Sequence, residues 1–167
     1  ALGEHPDLLF PITNTNCDQM SAPVRVEIVY VRENDCLEAN YTITLTPCDT
    51  WTALTSAHNP NFSRGYVYAF AKDAQGRAIS FNWLIGQEMI TDGIDQLEHG
   101  INAVVFKAIP PALQPTDLDH DGIRDLDDVE YQMAPDELLV PRFLGQDDDF
   151  GSKLVLPSHA EAYFSDP

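Results

Sequence analysis

Positive charge is what this sequence has least of. Nine lysines and arginines stand against 27 aspartates and glutamates in 167 residues, a formal net charge of −18. Nucleic acids and anionic lipid surfaces are held through lysine and arginine, so this balance argues against both as partners. Self-repulsion on this scale costs stability unless counter-ions neutralise it. Long apolar runs are missing as well, since none approaches the roughly 18 to 20 residues of a membrane span. Cysteine is scarce: Cys17, Cys36 and Cys48 form no CxxC and no Cys/His pattern suited to zinc. The signatures of catalysis are equally absent. There is no GxSxG elbow, no GxGxxG or Walker loop and no HExxH pair. The five histidines (His5, His58, His99, His120, His159) are scattered, and a glycosidase pair chosen from so many carboxylates would be arbitrary. No catalytic residue is therefore assigned, and the chain is not expected to be an enzyme.

What is present suits one domain, or one domain with an appendage. A hydrophobic fraction of 44% is enough for a sizeable core. The opening Ala1-Leu2-Gly3 carries no initiating methionine or signal peptide. It suits a mature chain whose leader has gone or a segment of a longer parent, as the final Ser165-Asp166-Pro167 also does.

The first two thirds read as short strands between turns, which predicts a mainly β fold: an Ig-like antiparallel β-sandwich. Val24, Val26, Ile28 and Tyr30 alternate with Arg25 and Glu27, and Tyr41, Ile43 and Leu45 alternate with threonines. Leu8 to Asn14 reads as an edge strand, because Pro11 cannot donate to a ladder. Trp51 to Leu54 starts another strand. Gly65 to Ala71 is apolar on both faces and is expected in the middle of a sandwich. The turn Lys72–Arg77 should lead into a partner strand over Ile79–Ile85, and Ile101–Lys107 should be the last strong strand. Ile90 to Gly100 reads as a short helix or a long loop. Trp51, Tyr66, Tyr68, Phe81 and Trp83 sit at strand spacing, which favours core packing over a carbohydrate platform. The hairpins place Cys17 and Cys48 near one end of a sheet and Cys36 near the other. A Cys17–Cys48 disulfide is expected, with Cys36 free or bonded to another chain; three reduced thiols are the alternative. Such a bridge would point to an oxidising compartment.

The sandwich is assigned to residues 1–108. A stiff connector, Ile109-Pro110-Pro111-Ala112-Leu113-Gln114-Pro115, leads through residue 116 to an extension over 117–167. In that extension Val129–Met133 reads as a helical turn and Lys153–Leu156 as a strand, with the acid cluster Asp147-Asp148-Asp149 before it.

The extension opens with DLDHDGIRDLDD, residues 117 to 128. Hard cations such as Ca²⁺ take six to eight oxygens, and a short loop with aspartates at alternate places can supply them. Asp117, Asp119 and Asp121 are candidate carboxylate ligands. Ile123 would lend its backbone carbonyl, Asp125 would bind directly or through water, and Asp128 would close the shell. Gly122 permits the sharp turn. The competing reading is a solvated acidic linker. The motif resembles the DxDxDGxxDxxD calcium loops of thrombospondin type 3 repeats and dockerins over these twelve positions. It departs from an EF-hand, with Arg124 where that motif keeps an apolar residue and Asp128 where it keeps glutamate.

Leu9-Phe10-Pro11, Leu45-Thr46-Pro47-x-Asp49-Thr50 and Phe81-Asn82-x-Leu84-Ile85-Gly86 are similar to segments of uncharacterised secreted bacterial β-sandwich modules. That resemblance implies an extracellular or cell-surface location, with the periplasm as an alternative, and no catalysis. The expectation is a secreted structural or interaction module stapled by calcium, with a neighbouring protein or a second copy as partner. A subunit of an extracellular fibre or surface layer, a carbohydrate-binding or adhesive module, and a hydrolase with an unrecognised site are the alternatives. Neither nucleic acid nor membrane insertion is expected.

Overall fold

The computed structural model describes residues 7–59, 65–92 and 97–134; the expected strand at 153–156 and the acid cluster at 147–149 lie outside them. Two antiparallel sheets form a β-sandwich. One sheet has the order β4-β1-β6-β7, from β1 (Asp7–Asn14), β4 (Thr50–Leu54), β6 (Leu84–Asp92) and β7 (Leu97–Asn102). The other has the order β3-β2-β5, from β2 (Val24–Arg32), β3 (Glu38–Leu45) and β5 (Gly65–Lys72). A single helical turn, α1 (Thr55–His58), carries the chain off the end of β4. No helix among the described residues is long and apolar enough to cross a membrane.

The period-2 pattern of β2 explains the core. Val24, Val26, Ile28 and Tyr30 project inward and meet Phe10 and Ile12 of β1, Leu45 of β3, Ala71 of β5 and Ile79. The other face of β2 is also covered, because Glu27, Val29 and Val31 are buried under cross-strand neighbours. Gly65 is required where β5 begins. A Cβ there would stand 1.9 Å from the Val31 carbonyl oxygen, so any side chain would push β5 off β2.

Several expected strands fall elsewhere. β1 is not an edge strand; it lies between β4 and β6. Pro11 is accommodated because its place pairs with Thr52 of β4, while the β6 register lapses across Phe10 and Pro11. β5 ends its sheet, and its second apolar face has a cover of its own, described below. Ile79–Ile85 does not return as the partner of β5. Only Ala78 bridges back to Lys72, and the chain crosses to the other sheet, where β6 starts at Leu84. Ile79 N–H keeps one bond to the Ala71 carbonyl of β5, and residues 78–82 otherwise find partners in 108–116. Ser80 N–H donates to the Gln114 carbonyl at 2.8 Å, and the Asn82 amide both donates to and accepts from the Ala108 backbone. Residues 90–92 and 97–100 are strand, whereas Ala103–Lys107 is irregular and β7 ends at Asn102. Of the rings expected in the core, Trp51 and Phe81 pack against it, Trp83 is partly exposed, and Tyr66 and Tyr68 share the outer face of β5.

Two contacts tie the sheets together. Cys17, between β1 and β2, is disulfide-bonded to Cys48, between β3 and β4, with Cα atoms 4.6 Å apart; Cys36 is free. Both connections pass from one sheet to the other, and the buried Asn14 reinforces them by donating to the Thr46 carbonyl. Such bonds persist in oxidising, non-cytoplasmic compartments. The second contact is His58, whose ring lies 4.3 Å from Tyr41 of β3 and 4.8 Å from Trp51 of β4. Its Nδ1 is 2.9 Å from the hydroxyl of Tyr30. Burial pushes the His58 pKa down and raises that of Tyr30 to about 12.

Closing a loop of 31 residues should stabilise the fold by about 3–4 kcal/mol through the unfolded chain. The double variant Cys17→Ser/Cys48→Ser should lose about that much in denaturant titration, and an unchanged midpoint would deny the bond a structural role. His58 has a depressed folded-state pKa, so its contribution is present above the ordinary histidine range and is lost as pH falls through the folded value. The melting-temperature advantage of the native chain over His58→Phe should therefore shrink between pH 7.5 and about pH 5. A pH-independent difference would reject this.

Candidate metal centre

After Pro115 the chain runs beside the sandwich, rooted by Thr116. That residue is fully buried, its N–H donates to the Ala78 carbonyl, and its hydroxyl lies 3.0 Å from that of Tyr131. Aspartates at alternate places then fold the loop through their own backbone. Asp119 Oδ1 accepts from Asp121 N–H at 3.2 Å, and Asp121 Oδ1 accepts from Ile123 N–H at 2.7 Å. Short acidic side chains favour such local bonds over regular structure. Gly122 has φ +82°, and no atom lies within 4 Å of a Cβ added there, so backbone freedom rather than space requires glycine.

Two acidic triads result. Asp119, Asp121 and Asp125 place one oxygen each within 4.8 Å of one another, and so do Asp117, Asp119 and Glu130. Asp119 belongs to both. Oxygens on opposite sides of a calcium-sized cation are about 5 Å apart, each being roughly 2.4 Å from it, so these spacings suit a single coordination shell. Four of the expected ligands, Asp117, Asp119, Asp121 and Asp125, are thus brought together. Asp128 is not among them. It has φ +65°, and its Oδ1 accepts from Met133 N–H at 2.8 Å. Ile123 contributes no side-chain ligand, and its N–H is turned to Asp121.

Glu130 is the residue that the loop pattern does not reveal. It lies two places beyond the motif, inside the segment read as a helical turn. That turn does not form, because residues 130–132 pair with the connector: Ile109 N–H donates to the Glu130 carbonyl, and Gln132 N–H to that of Lys107. Asp127 Oδ1 accepts from both Val129 and Glu130 N–H, which turns the chain back. Glu130 is 3% exposed, and its carboxylate accepts from the backbone N–H groups of Leu118 and Asp125. A buried carboxylate is costly without compensation. No local signal in the sequence announces it, because its position depends on the pairing of 107–109 with 130–132, which only tertiary contact supplies.

The electrostatics fit a missing positive charge. Burial, followed by the charges of Asp121, Asp119, Asp127 and Asp117, raises the Asp125 pKa. Burial raises Glu130 too, with Asp125 and Asp119 adding to it against the two backbone bonds. Asp127 is held low by the N–H groups that it accepts. One oxygen of Asp117 is buried without any hydrogen-bond partner. An orphaned anionic oxygen facing other carboxylates is the kind of group a cation satisfies. The acidic cluster can therefore hold a metal ion.

Arg124 joins this loop to the sandwich. Its guanidinium lies 4.0 Å from the ring centre of Phe70 and 5.1 Å from that of Tyr68, and donates to the Tyr68 hydroxyl at 2.9 Å. This is the cover over the second apolar face of β5.

Comparison with protein-family models, curated proteins and solved structures finds no match to this chain.

Asp119→Asn should weaken divalent-cation binding at least about tenfold, since one carboxylate serves both triads. Asp128→Asn should leave it nearly unchanged, because asparagine keeps the acceptor for Met133 and tolerates the left-handed backbone. Calorimetric titration with calcium measures both; equal losses would return Asp128 to the ligand set.

Proposed function

We propose that residues 117–130 bind Ca²⁺ and act as a brace that fixes this segment to the outer face of the three-stranded sheet. The observation that carries the reading is the pair of triads sharing Asp119, with an unpartnered Asp117 oxygen and the buried Glu130 closing one side. An all-oxygen set assembled from a flexible acidic loop suits calcium better than zinc, which prefers nitrogen and sulfur. Asp117, Asp119, Asp121, Asp125 and Glu130 would hold the ion, with the Ile123 carbonyl as the sixth donor expected from the loop pattern. The likeness to thrombospondin type 3 and dockerin loops supports the metal and its structural role. It ends before Glu130, so the closing ligand is this chain's own.

The role is mechanical. Without a cation, repulsion among five carboxylates opposes closure of the loop; with it, Arg124 is presented to Phe70 and Tyr68. The module is read as secreted and non-catalytic, in keeping with the Cys17–Cys48 bridge. Residues 108–134 pack against their own sandwich, which favours a self-contained brace over strand exchange between subunits of a fibre.

Calcium at about a hundred times its dissociation constant adds about 2.7 kcal/mol to folding. Chelation should therefore lower the melting temperature by about 5–10 °C and open residues 113–133 to protease. Arg124→Ala should lower the melting temperature in calcium without changing the binding stoichiometry. Identical melting curves and digestion patterns with and without chelator would defeat the brace.

A further inference from the structure

Among the described residues four strands end a sheet, and they differ in how that margin is protected. β4 and β7 are short, at five and six residues. β5 is capped at one end, where Ile79 N–H donates to the Ala71 carbonyl, and Arg124 lies over its outer face. β3 runs for eight residues, Glu38–Leu45, and among the described residues its backbone pairs with β2 alone. In an antiparallel ladder every second residue turns its N–H and C=O away from the strand it is paired with, so β3 presents a row of unmet groups.

Such edges are commonly blunted by a lysine, a proline, a bulge or an inward-pointing charge. β3 has none of these. Its sequence is EANYTITL, and its register with β2 runs unbroken from Glu38 to Leu45. Its inward residues, Ala39, Tyr41, Ile43 and Leu45, belong to the core or pack against it.

Charge and symmetry identify the partner. Glu38 is the only charged residue of β3, although the chain carries −18. Two acidic molecules can therefore meet along this strip with little local repulsion. The strip is also complementary to itself. Antiparallel pairing about a twofold axis perpendicular to the sheet keeps the inner faces of both copies on one side, whereas parallel pairing would turn one copy over. Centred on Tyr41, it sets Asn40 against the partner's Thr42, Ale39 against the partner's Ile43 and Glu38 against the partner's Thr44. No like charges meet in this register. The Thr42 hydroxyl donates to Glu27 and keeps its capacity to accept. The Asn40 amide is exposed and has no hydrogen bond to another described residue, so it can donate to that hydroxyl, and symmetry makes the contact twice.

We infer that two copies of the chain pair β3 with β3, joining their three-stranded sheets into one continuous sheet across a twofold axis at Tyr41. The interface is isologous, so each copy uses its open edge and assembly stops at the dimer. The inference goes beyond the brace and needs no ion. Cys36 lies in the turn before β3, which places the two thiols roughly 30 Å apart at 3.3 Å per residue, and the dimer is not covalent.

The test is sedimentation equilibrium of the 167-residue chain between about 10 µM and 1 mM. A dissociation constant on the order of 100 µM is expected for so small an interface. It should tighten as salt rises from about 0.05 to 0.5 M, because salt screens the repulsion between two anionic molecules. Amide exchange in β3 should slow by about fivefold at the higher protein concentration, with β4, β5 and β7 unchanged. Thr44→Glu sets a carboxylate against the partner's Glu38 and should weaken the dimer by about fivefold. The position is exposed and faces Arg25 of β2, so the melting temperature of the dilute variant should hold. A monomer throughout the concentration range at both salts overturns the inference. So does protection that appears at another margin, a dimer that weakens with salt, or one that Thr44→Glu leaves unchanged. Loss of the dimer when a maleimide blocks Cys36 overturns it too.

Discussion

Five carboxylates crowded into a space about one hydrated ion across are the constraint on which the C-terminal half of the described chain depends. Asp119, Asp121 and Glu130 are held there by backbone N–H groups, and an oxygen of Asp117 is buried beside them with no hydrogen-bond partner. The sandwich supplies the rigid side of this arrangement. Ala78 and Ser80 fix the connector, Asn82 grips Ala108, and the 107–109 strip holds 130–132. The acidic loop is thus pinned at both ends before any ion arrives. Pinning raises the repulsion, because the charges cannot drift apart, and it raises the selectivity for a cation in the same measure.

The second consequence runs from the loop back to the sheet. β5 ends its sheet yet carries Tyr66, Tyr68 and Phe70 on the face away from the core. An apolar outer face at a sheet margin invites association with other chains. Here the guanidinium of Arg124 lies over two of these rings, and arginine is well suited to this because it is planar and weakly hydrated. The one cation within the loop therefore does not neutralise the aspartates around it. It is spent on the aromatic face, and the aspartates are left for an external cation.

The architecture was legible wherever local pattern and tertiary environment agree. β2 and β3 follow their alternation, and the Cys17–Cys48 bridge follows from the hairpins that place its ends together. Four aspartates of the candidate site follow from their spacing, and two of them, Asp119 and Asp121, fold the backbone two residues on. Illegible features come from long-range pairing. Ile79–Ile85 has good strand composition, but residues 78–82 pair mainly with 108–116 while Leu84 and Ile85 join β1 in the other sheet, and no periodicity announces either partner. Pro11 reads as an edge marker, yet β1 is internal because one missing N–H costs only a local lapse in the ladder. Glu130 is hidden for the same reason. Its neighbours Asp127 and Asp128 resemble the start of a helix, but a left-handed Asp128 and the strip at 107–109 turn the chain inward.

The two staples of this fold act on different states of the chain. The disulfide narrows the unfolded ensemble, so its effect does not vary with the free cation concentration. An ion in the loop would act on the folded state alone, and its contribution would rise with the logarithm of its free concentration. The bridge spans the turns that join the two sheets, whereas the loop lies against the three-stranded sheet and 78–83. Loss of the ion should consequently leave the sandwich closed at its disulfide end and release the wall formed by Arg124. A device arranged this way changes which surface the module presents without endangering the module itself. That separation, more than added stability, is what a metal would contribute to a chain already cross-linked by a covalent bond.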